Sequence, residues 1–490
     1  MMTKNEALHK IEEHTSRLKN LIERAIAEKR RLDEVERDTF VELMDMGLMV
    51  LTAFLAESGE GDEGEHVEHQ GKQSRRLPEK HKRTYRSIYG ALEIQRYVYG
   101  TREGQAIEHV PLDAQLGLPA GEVSYVLEDW LERLCLTEAF RESVNSLVAL
   151  LGVRAKVSVD TAEEHSKQMA RHAGSYRASQ AMPPAREEGE FLVVTADGKG
   201  VPMRRPVNSA TQDCTSRHRR RKGEKAHKKQ MAYVGAVYTI DPFRRTADDI
   251  LDDLIHKKHA KDRPSPKHKH VWAEMTLPGD DEGTALAPHG PSYLFAELAV
   301  ECHDRDPKKE KPLICLLDGE RQFWDLQNDW LTRAVQVLDI FHATERLWTL
   351  AYCFHVDGSL EAKQWVERYL RMLLEGRVGT VIRSFRQFVG RLSGEKRKRM
   401  LETITYYENN RKRMRYDQYL AAGYPIGSGV AEGACRYVVK DRMERTGMRW
   451  CLEGAQPMLR LRALYANGDW QAFVEHRIEE EQKALYAQAA

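Results

Sequence analysis

Two acidic residues in the middle of the chain each follow a short apolar run. Asp197 comes after Phe191 to Val194, and Asp318 comes after Leu313 to Leu317, with a glycine directly behind each aspartate. Apolar runs of this length, bounded by glycine, predict buried strands. A single Asp-Gly pair is typical of a plain turn. Two such pairs at or near the ends of similar strands predict two carboxylates at one edge of a sheet.

A third carboxylate, Glu432, lies in a segment rich in small residues. Ser428 is predicted to cap a helix that runs to about Arg445, which places Glu432 in the first helical turn. One interpretation is structural: Glu432 complements the helix dipole and pairs with Arg436. The glycines on both sides of Glu432 favour a different role, because they let another backbone come close.

Three carboxylates from two strands and a helix would repel one another and raise each other's pKa values. A hard dication relieves that repulsion, and Mg²⁺ takes oxygen ligands while keeping waters for a phosphate. We therefore expect Mg²⁺ or Mn²⁺, with two ions bound by Asp197, Asp318 and Glu432. Two such ions suit an in-line phosphoryl displacement. Glu320, two residues after Asp318, is an accessory candidate ligand.

Basic residues point to DNA as the anionic partner. The formal net charge is only +1, but the positive charge is segregated into blocks. A basic loop beside a carboxylate site suits DNA, whose phosphates dominate affinity; the alternative is a solvated loop. The residues predicted to contact phosphates are Arg217, Arg219, Arg220, Arg221, Lys222, Lys225, Lys228, Lys229, Arg436, Lys440, Arg442 and Arg445.

The N-terminal third is predicted to be mainly helical. Residues 4–56 carry an apolar stripe, with a second helix, Phe40 to Ala56, opened by Thr39; self-association through this stripe is the alternative to packing within the domain. Residues 83–100 predict a β-hairpin. A helix ending at Gly152 and a second helix capped by Ser158 outline a helix-turn-helix that could bind DNA.

The second half alternates strands with helices. Met231 to Ile240 predicts a strand that pairs with the Phe191 strand, and Val335 to Ile340 predicts another, followed by a helix from about His342. Residues 345–423 look entirely helical, which predicts an insertion. The seven cysteines show no zinc-site spacing, and no apolar run approaches a membrane span, so we expect a cytoplasmic protein with no membrane partner.

Three blocks of the chain resemble the catalytic blocks of bacterial insertion-sequence transposases of the ISKra family. They are Thr195-Ala-Asp197-Gly-Lys-Gly-Val-Pro-Met203, Leu316-Leu-Asp318-Gly-Glu-Arg and Pro425-Ile-Gly-Ser-Gly-Val-Ala-Glu432-Gly-Ala-Cys-Arg-Tyr-Val-Val-Lys-Asp-Arg-Met443. Thr446-Gly-Met-Arg-Trp450 continues the third block. The resemblance covers about residues 80 to 465. It implies a DDE transposase with a ribonuclease-H-like fold and Asp197, Asp318 and Glu432 as its triad. It also implies a helical insertion, for which the gap of 432 − 318 = 114 residues has room.

A shorter motif, Asp339-Ile-Phe-His342, is similar to a Cys/Asp-x-x-His motif of related transposase groups. The resemblance implies an accessory role for Asp339 and His342 beside the triad. The alternative is that Asp339 caps the following helix and His342 packs beneath it.

The expected fold class is an α/β ribonuclease-H-like catalytic domain with an all-α insertion, preceded by mainly helical N-terminal domains with a small β-hairpin. The expected segments are N-terminal helices with an acidic linker (1–72), a hairpin region (73–118), a helical DNA-binding region with a linker (119–190), the first part of the core (191–344), the insertion (345–423), the last core helix (424–452) and a helical tail (453–490).

The expected function is DNA transposition by a homodimer or higher oligomer in the bacterial cytoplasm, associated with the nucleoid. The enzyme would bind the terminal inverted repeats of its own element, cleave a phosphodiester and join the freed 3′-OH to target DNA. Two alternatives stay open. One is a ribonuclease-H-like nuclease without strand transfer, and the other is a transposase-derived protein that only binds DNA.

Overall fold

The computed structural model describes residues 2–69, 72–100, 107–204, 229–258, 262–275, 290–445 and 447–486. The chain divides into two units. One contains Met1–Tyr176 and Trp470–Ala490, and the other contains Arg177–Asp469. The basic loop residues from Arg217 to Lys228 lie outside the described residues.

Helices and strands are numbered along the chain. Up to residue 179 they are α1 (Lys4–Ala27), α2 (Leu32–Glu57), β1 (His66–His69), β2 (Lys72–Arg76), β3 (His81–Ser87), β4 (Gly90–Arg96), β5 (Tyr99–Gly100), α3 (Pro111–Gln115), α4 (Tyr125–Cys135), α5 (Phe140–Leu151), α6 (Val159–Ala170) and α7 (Ala173–Ser179). Beyond residue 190 they are β6 (Phe191–Pro202), β7 (Lys229–Ile240), α8 (Ala247–Leu251), β8 (Lys267–Met275), α9 (Gly290–Arg305), β9 (Leu313–Leu317), α10 (Arg321–Trp330), β10 (Val335–Leu338), α11 (Ile340–Phe354), α12 (Leu360–Leu374), α13 (Val378–Val389), α14 (Gly394–Asn410), α15 (Tyr416–Ala422), α16 (Gly429–Ala434), α17 (Asp441–Met443), α18 (Leu452–Asn467) and α19 (Trp470–Tyr486).

The N-terminal unit begins with the helical hairpin of α1 and α2. Its second helix starts earlier than predicted: Thr39 lies inside α2, where its hydroxyl donates to the carbonyl of Val35 and caps nothing. A side-chain contact links the two helices, with Nδ1 of His14 on α1 lying 3.0 Å from Oε2 of Glu42 on α2. Several residues of the predicted apolar stripe, such as Ile22 and Leu32, are exposed.

Among the described residues, α2 is the one helix long and apolar enough to cross a membrane, judged by length and composition alone. Its apolar run from Leu43 to Ala56 contains a single charged residue, Asp45. Length and composition do not test the expectation of no membrane partner, which stays a prediction.

The predicted hairpin is present as β3 and β4, which pair antiparallel from His81 with Arg96 to Ser87 with Gly90. Its arginines are used within the fold. Arg83 donates to the buried Asp113 at 2.6 Å, since a buried carboxylate needs a charged partner. The predicted acidic linker before the hairpin also contains β1 and part of β2.

The helix-turn-helix outline appears as α5, a short turn at Gly152 and α6. Gly152 adopts φ +81°, a conformation that favours glycine, and ends α5. The Ser158 hydroxyl accepts from the N–H of Thr161 and caps α6, as predicted. The base Lys167 on α6 lies 3.5 Å from Glu164, and Asp160 is exposed. DNA recognition by α6 stays a prediction. The predicted linker after it begins with helix α7.

The second unit is organised around a five-stranded sheet in the order β10-β9-β6-β7-β8. β9 and β10 run parallel to β6, whereas β7 is antiparallel to β6 and β8 is antiparallel to β7. β6 and β7 pair from Phe191 with Ile240 to Pro202 with Lys229, which confirms the predicted pairing. The central strands are buried on both faces.

The segment 345–423 is helical, as predicted: it contains the end of α11 and then α12 to α15, and we keep the name insertion for α12 to α15. It is held to the sheet by tyrosines: the hydroxyls of Tyr416 and Tyr419 donate to the carbonyls of Leu338 and Gln336 on β10, each at 2.9 Å. The Tyr407 hydroxyl donates to the carbonyl of Ala343 on α11. These bonds satisfy buried polar groups and fix the insertion beside the carboxyl ends of the parallel strands.

Candidate active site

Three aspartates meet at one edge of the sheet because of strand register. Parallel pairing of β6 with β9 ends at Ala196 and Leu317, and pairing of β9 with β10 ends at Leu317 and Leu338. The next residue on each strand is an aspartate: Asp197, Asp318 and Asp339. Neighbouring parallel strands bring their carboxyl ends to the same edge. The three carboxylates therefore stand side by side.

One detail of the prediction for Asp197 is wrong. Asp197 does not end its strand, because β6 continues to Pro202 and pairs with β7 throughout, with Asp197 opposite Val234. Only the parallel partner β9 stops at this level, and so Asp197 still lies next to Asp318. Its Oδ1 accepts the N–H of Gly198 at 2.7 Å.

The segment before α16 is bonded to the end of β10, and this brings Glu432 to the cluster. The N–H of Ile340 donates to the carbonyl of Ile426 at 2.8 Å. Asp339 Oδ2 accepts the N–H of Ser428 at 2.9 Å and also the Ser428 hydroxyl. Ser428 occupies the predicted N-cap position of α16, but its side chain makes no capping hydrogen bond there, because its hydroxyl donates to Asp339.

Asp339 caps α11, because its Oδ1 accepts the N–H of Phe341 at the start of that helix. Capping was the structural alternative for this residue. His342 does not pack beneath that helix. Its ring is partly exposed, with Nε2 at 3.9 Å from Glu432 and Nδ1 at 3.4 Å from Glu345. The donor atoms of Asp339, His342 and Glu432 all lie within 4.8 Å of one another.

One part of the structural interpretation of Glu432 is wrong, because Glu432 and Arg436 form no ion pair; the other part, its position in the first turn of α16, is confirmed. Four acids at the site pair with no lysine or arginine in the described part of the chain. They are Asp197, Asp318, Asp339 and Glu432. The His342 ring acts on three of these acids, because it opposes the effect of burial, which raises the pKa values of Asp318, Asp339 and Glu432.

Electrostatics at the site disfavour the charged forms of these acids. Burial raises the pKa of the Asp318 carboxyl, and the charges of Asp197 and Asp339 raise it further, against the N–H of Glu320 and the His342 ring, which lower it. Burial likewise raises the pKa of Glu432, followed by the charges of Asp339 and Asp197. The cluster thus behaves as one set of mutually repelling carboxylates.

The remaining neighbours follow the same pattern. Burial raises the pKa of the Glu320 carboxyl, and the charges of Asp318 and Asp197 add to the effect. Burial also raises the pKa of the Cys435 thiol, which hydrogen-bonds to Asp197. Glu320 is therefore within electrostatic reach of both aspartates, as an accessory ligand requires.

These residues fit a hard divalent cation. The donor set is mainly carboxylate oxygen with one imidazole, which suits Mg²⁺ or Mn²⁺. The fit rests on two observations: the carboxylates pair with no lysine or arginine of the described residues, and the pKa values of Asp318, Asp339 and Glu432 are raised. A bound cation would reverse that shift by stabilising the charged acids.

An open cleft of about 510 Å³ lies beside the cluster. Its lining includes Asp318, Glu320, His342, Arg346 and Tyr406. The Tyr406 hydroxyl donates to the carbonyl of Asp318 at 2.6 Å. The insertion helix α14 thus contacts the backbone that carries the central carboxylate.

Gly319 is required at that contact. It adopts φ +95°, and a Cβ at this position would lie 2.7 Å from the Tyr406 hydroxyl. Sequence reasoning had interpreted Gly319 only as part of a turn and had assigned no role to Tyr406, Arg346 or Cys435. Cys435 lies within the third block, but Tyr406 has no sequence signal, because its contact spans 88 residues.

The residues predicted to bind phosphates have different environments. Arg436, Lys440 and Arg445 are exposed, whereas Lys229 lies 2.5 Å from Glu444. Arg442 is a correction. It is fully buried with its guanidinium 4.8 Å from the centre of the Trp450 ring, so stacking within the fold removes it from any DNA surface.

A comparison with known protein families and with characterised proteins finds no match to this chain.

Proposed function

We propose that the protein is a DNA transposase whose ribonuclease-H-like core carries the metal-binding triad Asp197, Asp318 and Glu432. The observation that carries the proposal is that Asp197 lies within electrostatic range of both Asp318 and Glu432, with no arginine or lysine paired to any of the three in the described part of the chain. Sites in sheets with parallel strands form outside the carboxyl ends of those strands.

The sheet order supports the fold part of the proposal. Numbered along the chain within this unit, the five strands lie in the order 5-4-1-2-3, with three antiparallel strands followed by two parallel ones. This arrangement is consistent with a ribonuclease-H-like core. The insertion of α12 to α15 between Asp318 and Glu432 agrees with the resemblance to ISKra-family transposases.

Asp197, Asp318 and Glu432 would hold the divalent cations, with Asp339, His342 and Glu320 beside them. Bound dications supply activation of an attacking oxygen and stabilisation of the leaving oxygen in phosphoryl transfer. The protein's own part is positioning. Ser428 and the N–H of Phe341 hold the Asp339 carboxylate, and Tyr406 holds the backbone of Asp318.

His342 is placed to influence proton movement near Glu432. Its Nε2 lies 3.9 Å from that carboxylate, and its ring is open to the cleft. An imidazole ring nitrogen can donate or accept a proton, so His342 can exchange one with a group in the cleft. We assign it this accessory role in cleavage or strand transfer.

The substrate in this proposal is DNA: the element's terminal inverted repeats and a target. The site itself is acidic and would repel phosphates, so cations outside the cluster must hold the substrate. Exposed Arg436, Lys440 and Arg445 on and after the third block are suited to this. We place the protein in the bacterial cytoplasm as a dimer or higher oligomer.

Cleavage of a labelled element end tests the proposal. The wild-type protein should release a 3′-OH end in Mg²⁺ or Mn²⁺, lose this activity in chelator and join the end to a plasmid target. A matched control is Asp325→Asn, which removes an exposed carboxylate of α10 outside the cleft. Asp325→Asn should retain activity, whereas Asp318→Asn should not.

The outcomes separate the alternatives. Cleavage without joining would indicate a nuclease that lacks strand transfer. Specific end binding without cleavage in any divalent cation would indicate a protein that only binds DNA. Equal activity of Asp318→Asn and Asp325→Asn would contradict the assignment of the site.

A further inference from the structure

A second, larger concavity lies on the insertion, next to the candidate active site. It has a volume of about 700 Å³ and is lined mainly by one face of α14 together with Arg346 of α11. Along α14 the lining residues recur at helical spacing: Arg397, Leu401, Thr405 and Asn409 are four residues apart. The concavity is therefore a groove that follows the helix; we call it the α14 groove.

The charge of the α14 groove is opposite to that of the active site. Its lining contains the cations Arg346, Arg397 and Lys398 and a single acid, Glu402. Lys398 lies 3.9 Å from Glu402, whereas Arg397 is exposed and forms no ion pair with a described residue. A surface of this kind attracts an anionic chain.

Aromatic and guanidinium groups are combined at one end of the groove. The Arg346 guanidinium lies 4.8 Å from the centre of the Tyr406 ring, with both side chains lining the groove. Proteins that bind single strands combine a positive groove with aromatic rings and arginines for base stacking. The lining is therefore chemically suited to a nucleic-acid strand.

The α14 groove leads to the carboxylate cluster. Arg346 and Tyr406 line both the groove and the active-site cleft, and the Tyr406 hydroxyl is bonded to Asp318. Arg397 precedes Tyr406 by nine residues (406 − 397), which is roughly 13 Å along a helix. That length matches about four base-pair steps at about 3.4 Å each.

We propose that the α14 groove binds the phosphates of the DNA strand that enters the active site. Arg397 and Lys398 contact phosphates a few nucleotides from the scissile bond, and Arg346 with Tyr406 binds the strand where it passes into the cleft. This assignment rests on the proposed function, because it takes DNA as the substrate of the adjoining cleft.

Salt-dependent binding of a fluorescent single-stranded oligonucleotide to the full chain tests the groove. The test variant is Arg397→Ala with Lys398→Ala. The matched control is Lys396→Ala with Lys412→Ala, which removes two exposed cations of the same insertion outside the groove lining. Alanine preserves the helix. All measurements are made in chelator, which prevents cleavage of the oligonucleotide.

The groove variant should bind more weakly, and its plot of log affinity against log salt should be shallower. Each lost phosphate contact on a single strand changes the slope by about 0.7, so two contacts change it by about 1.4. The control should keep the wild-type slope. An unchanged slope in the groove variant, or an equal change in the control, overturns the assignment.

Failure of the groove and failure of the proposed function are distinguishable. If wild-type protein cleaves DNA in Mg²⁺ and the groove variant behaves like the control, the groove assignment is wrong and the function stands. The opposite result is that wild-type protein cleaves no DNA, while the groove variant still shows a shallower salt dependence of binding. In that case the groove binds nucleic acid and the catalytic proposal is wrong.

Discussion

Acidic side chains are treated in two different ways within the sheet unit. Away from the candidate site, buried acids are paired with arginine: Glu188 accepts from Arg305 at 2.7 and 2.8 Å, and Glu274 accepts from Arg460 at 3.0 and 3.1 Å. At the carboxyl ends of β6, β9 and β10, the acids accept hydrogen bonds but pair with no lysine or arginine among the described residues.

The difference separates structural from functional carboxylates. Burial would raise the pKa of Glu188, but its bonds to Arg305 and Thr239 hold that pKa below the usual value. The pKa values of Asp318, Asp339 and Glu432 are shifted the other way. A charge buried without a partner costs stability. Such a cost is typical of sites that are built for a ligand.

The largest expected effect is on catalysis. Asp197→Asn, Asp318→Asn and Glu432→Gln each preserve side-chain size and remove one charge needed to hold a dication. We expect each variant alone to lose cleavage by about a thousandfold or more. A double variant should be little worse, because the residues act as one unit.

The assay for this prediction is single-turnover cleavage of an element end at saturating DNA. DNA binding should persist and could tighten, because phosphate repulsion falls. Near-normal cleavage by Glu432→Gln would assign the third ligand position to Glu320 instead.

The structural acids should show the reverse pattern. Glu188→Gln removes the closer of the two acidic partners of Arg305 and leaves Glu301 at 3.4 Å, and the side chains of Glu188 and Arg305 are both 1% exposed. Breaking a buried ion pair in this way costs about 3–5 kcal/mol of unfolding free energy. Chemical denaturation measures the loss. Asp318→Asn is the comparison variant, and a similar loss in both variants would contradict the distinction between the two classes of acid.

Asp339 is intermediate between the two classes, because hydrogen bonds alone support its buried charge. Ser428→Ala removes the hydroxyl that donates to Asp339. We expect a loss of about 1–3 kcal/mol, the usual cost of removing a partner from a buried polar group. Ser428→Thr should restore part of the stability, since it keeps the hydroxyl. Equal melting temperatures of wild type and Ser428→Ala would show that the backbone N–H of Ser428 suffices.

Much of this site could be predicted from the sequence because strand signals are local. The apolar runs before Asp197, Asp318 and Asp339 predict the strands, and neighbouring parallel strands end at one edge. The extent of β6 could not be predicted, since Gly198 and Gly200 resemble a turn. It is the antiparallel partner β7 that keeps those residues in the strand.

Contacts distant in sequence were not predictable. Tyr406 bonds to Asp318 across 88 residues, and nothing in the local pattern of α14 distinguishes it from a packing tyrosine. Arg442 was expected at the surface because arginine usually is, but stacking on Trp450 stabilises it in the interior. Ser428 resembled a helix cap because its real partner, Asp339, lies 89 residues earlier.

The smallest expected effect concerns pH and divalent ions. Asp318, Asp339, Glu320 and Glu432 have pKa values raised above those of the unfolded chain, near 4. At pH values between the unfolded and the folded pKa of each group, the folded state therefore binds more protons than the unfolded state. Stability from these groups is present at low pH and is lost as pH rises through the folded pKa values.

At neutral pH the charged cluster should therefore destabilise the metal-free protein, and Asp318→Asn should raise stability by about 0.5–2 kcal/mol, the range of single stabilising substitutions. Mg²⁺ should raise the melting temperature of wild type more at pH 7.5 than at pH 5, because protonated carboxyls bind cations poorly. The same titration with Asp318→Asn should show a reduced Mg²⁺ effect, while Asp325→Asn should match wild type. A Mg²⁺ effect that is equal at both pH values would place the ion elsewhere on the protein.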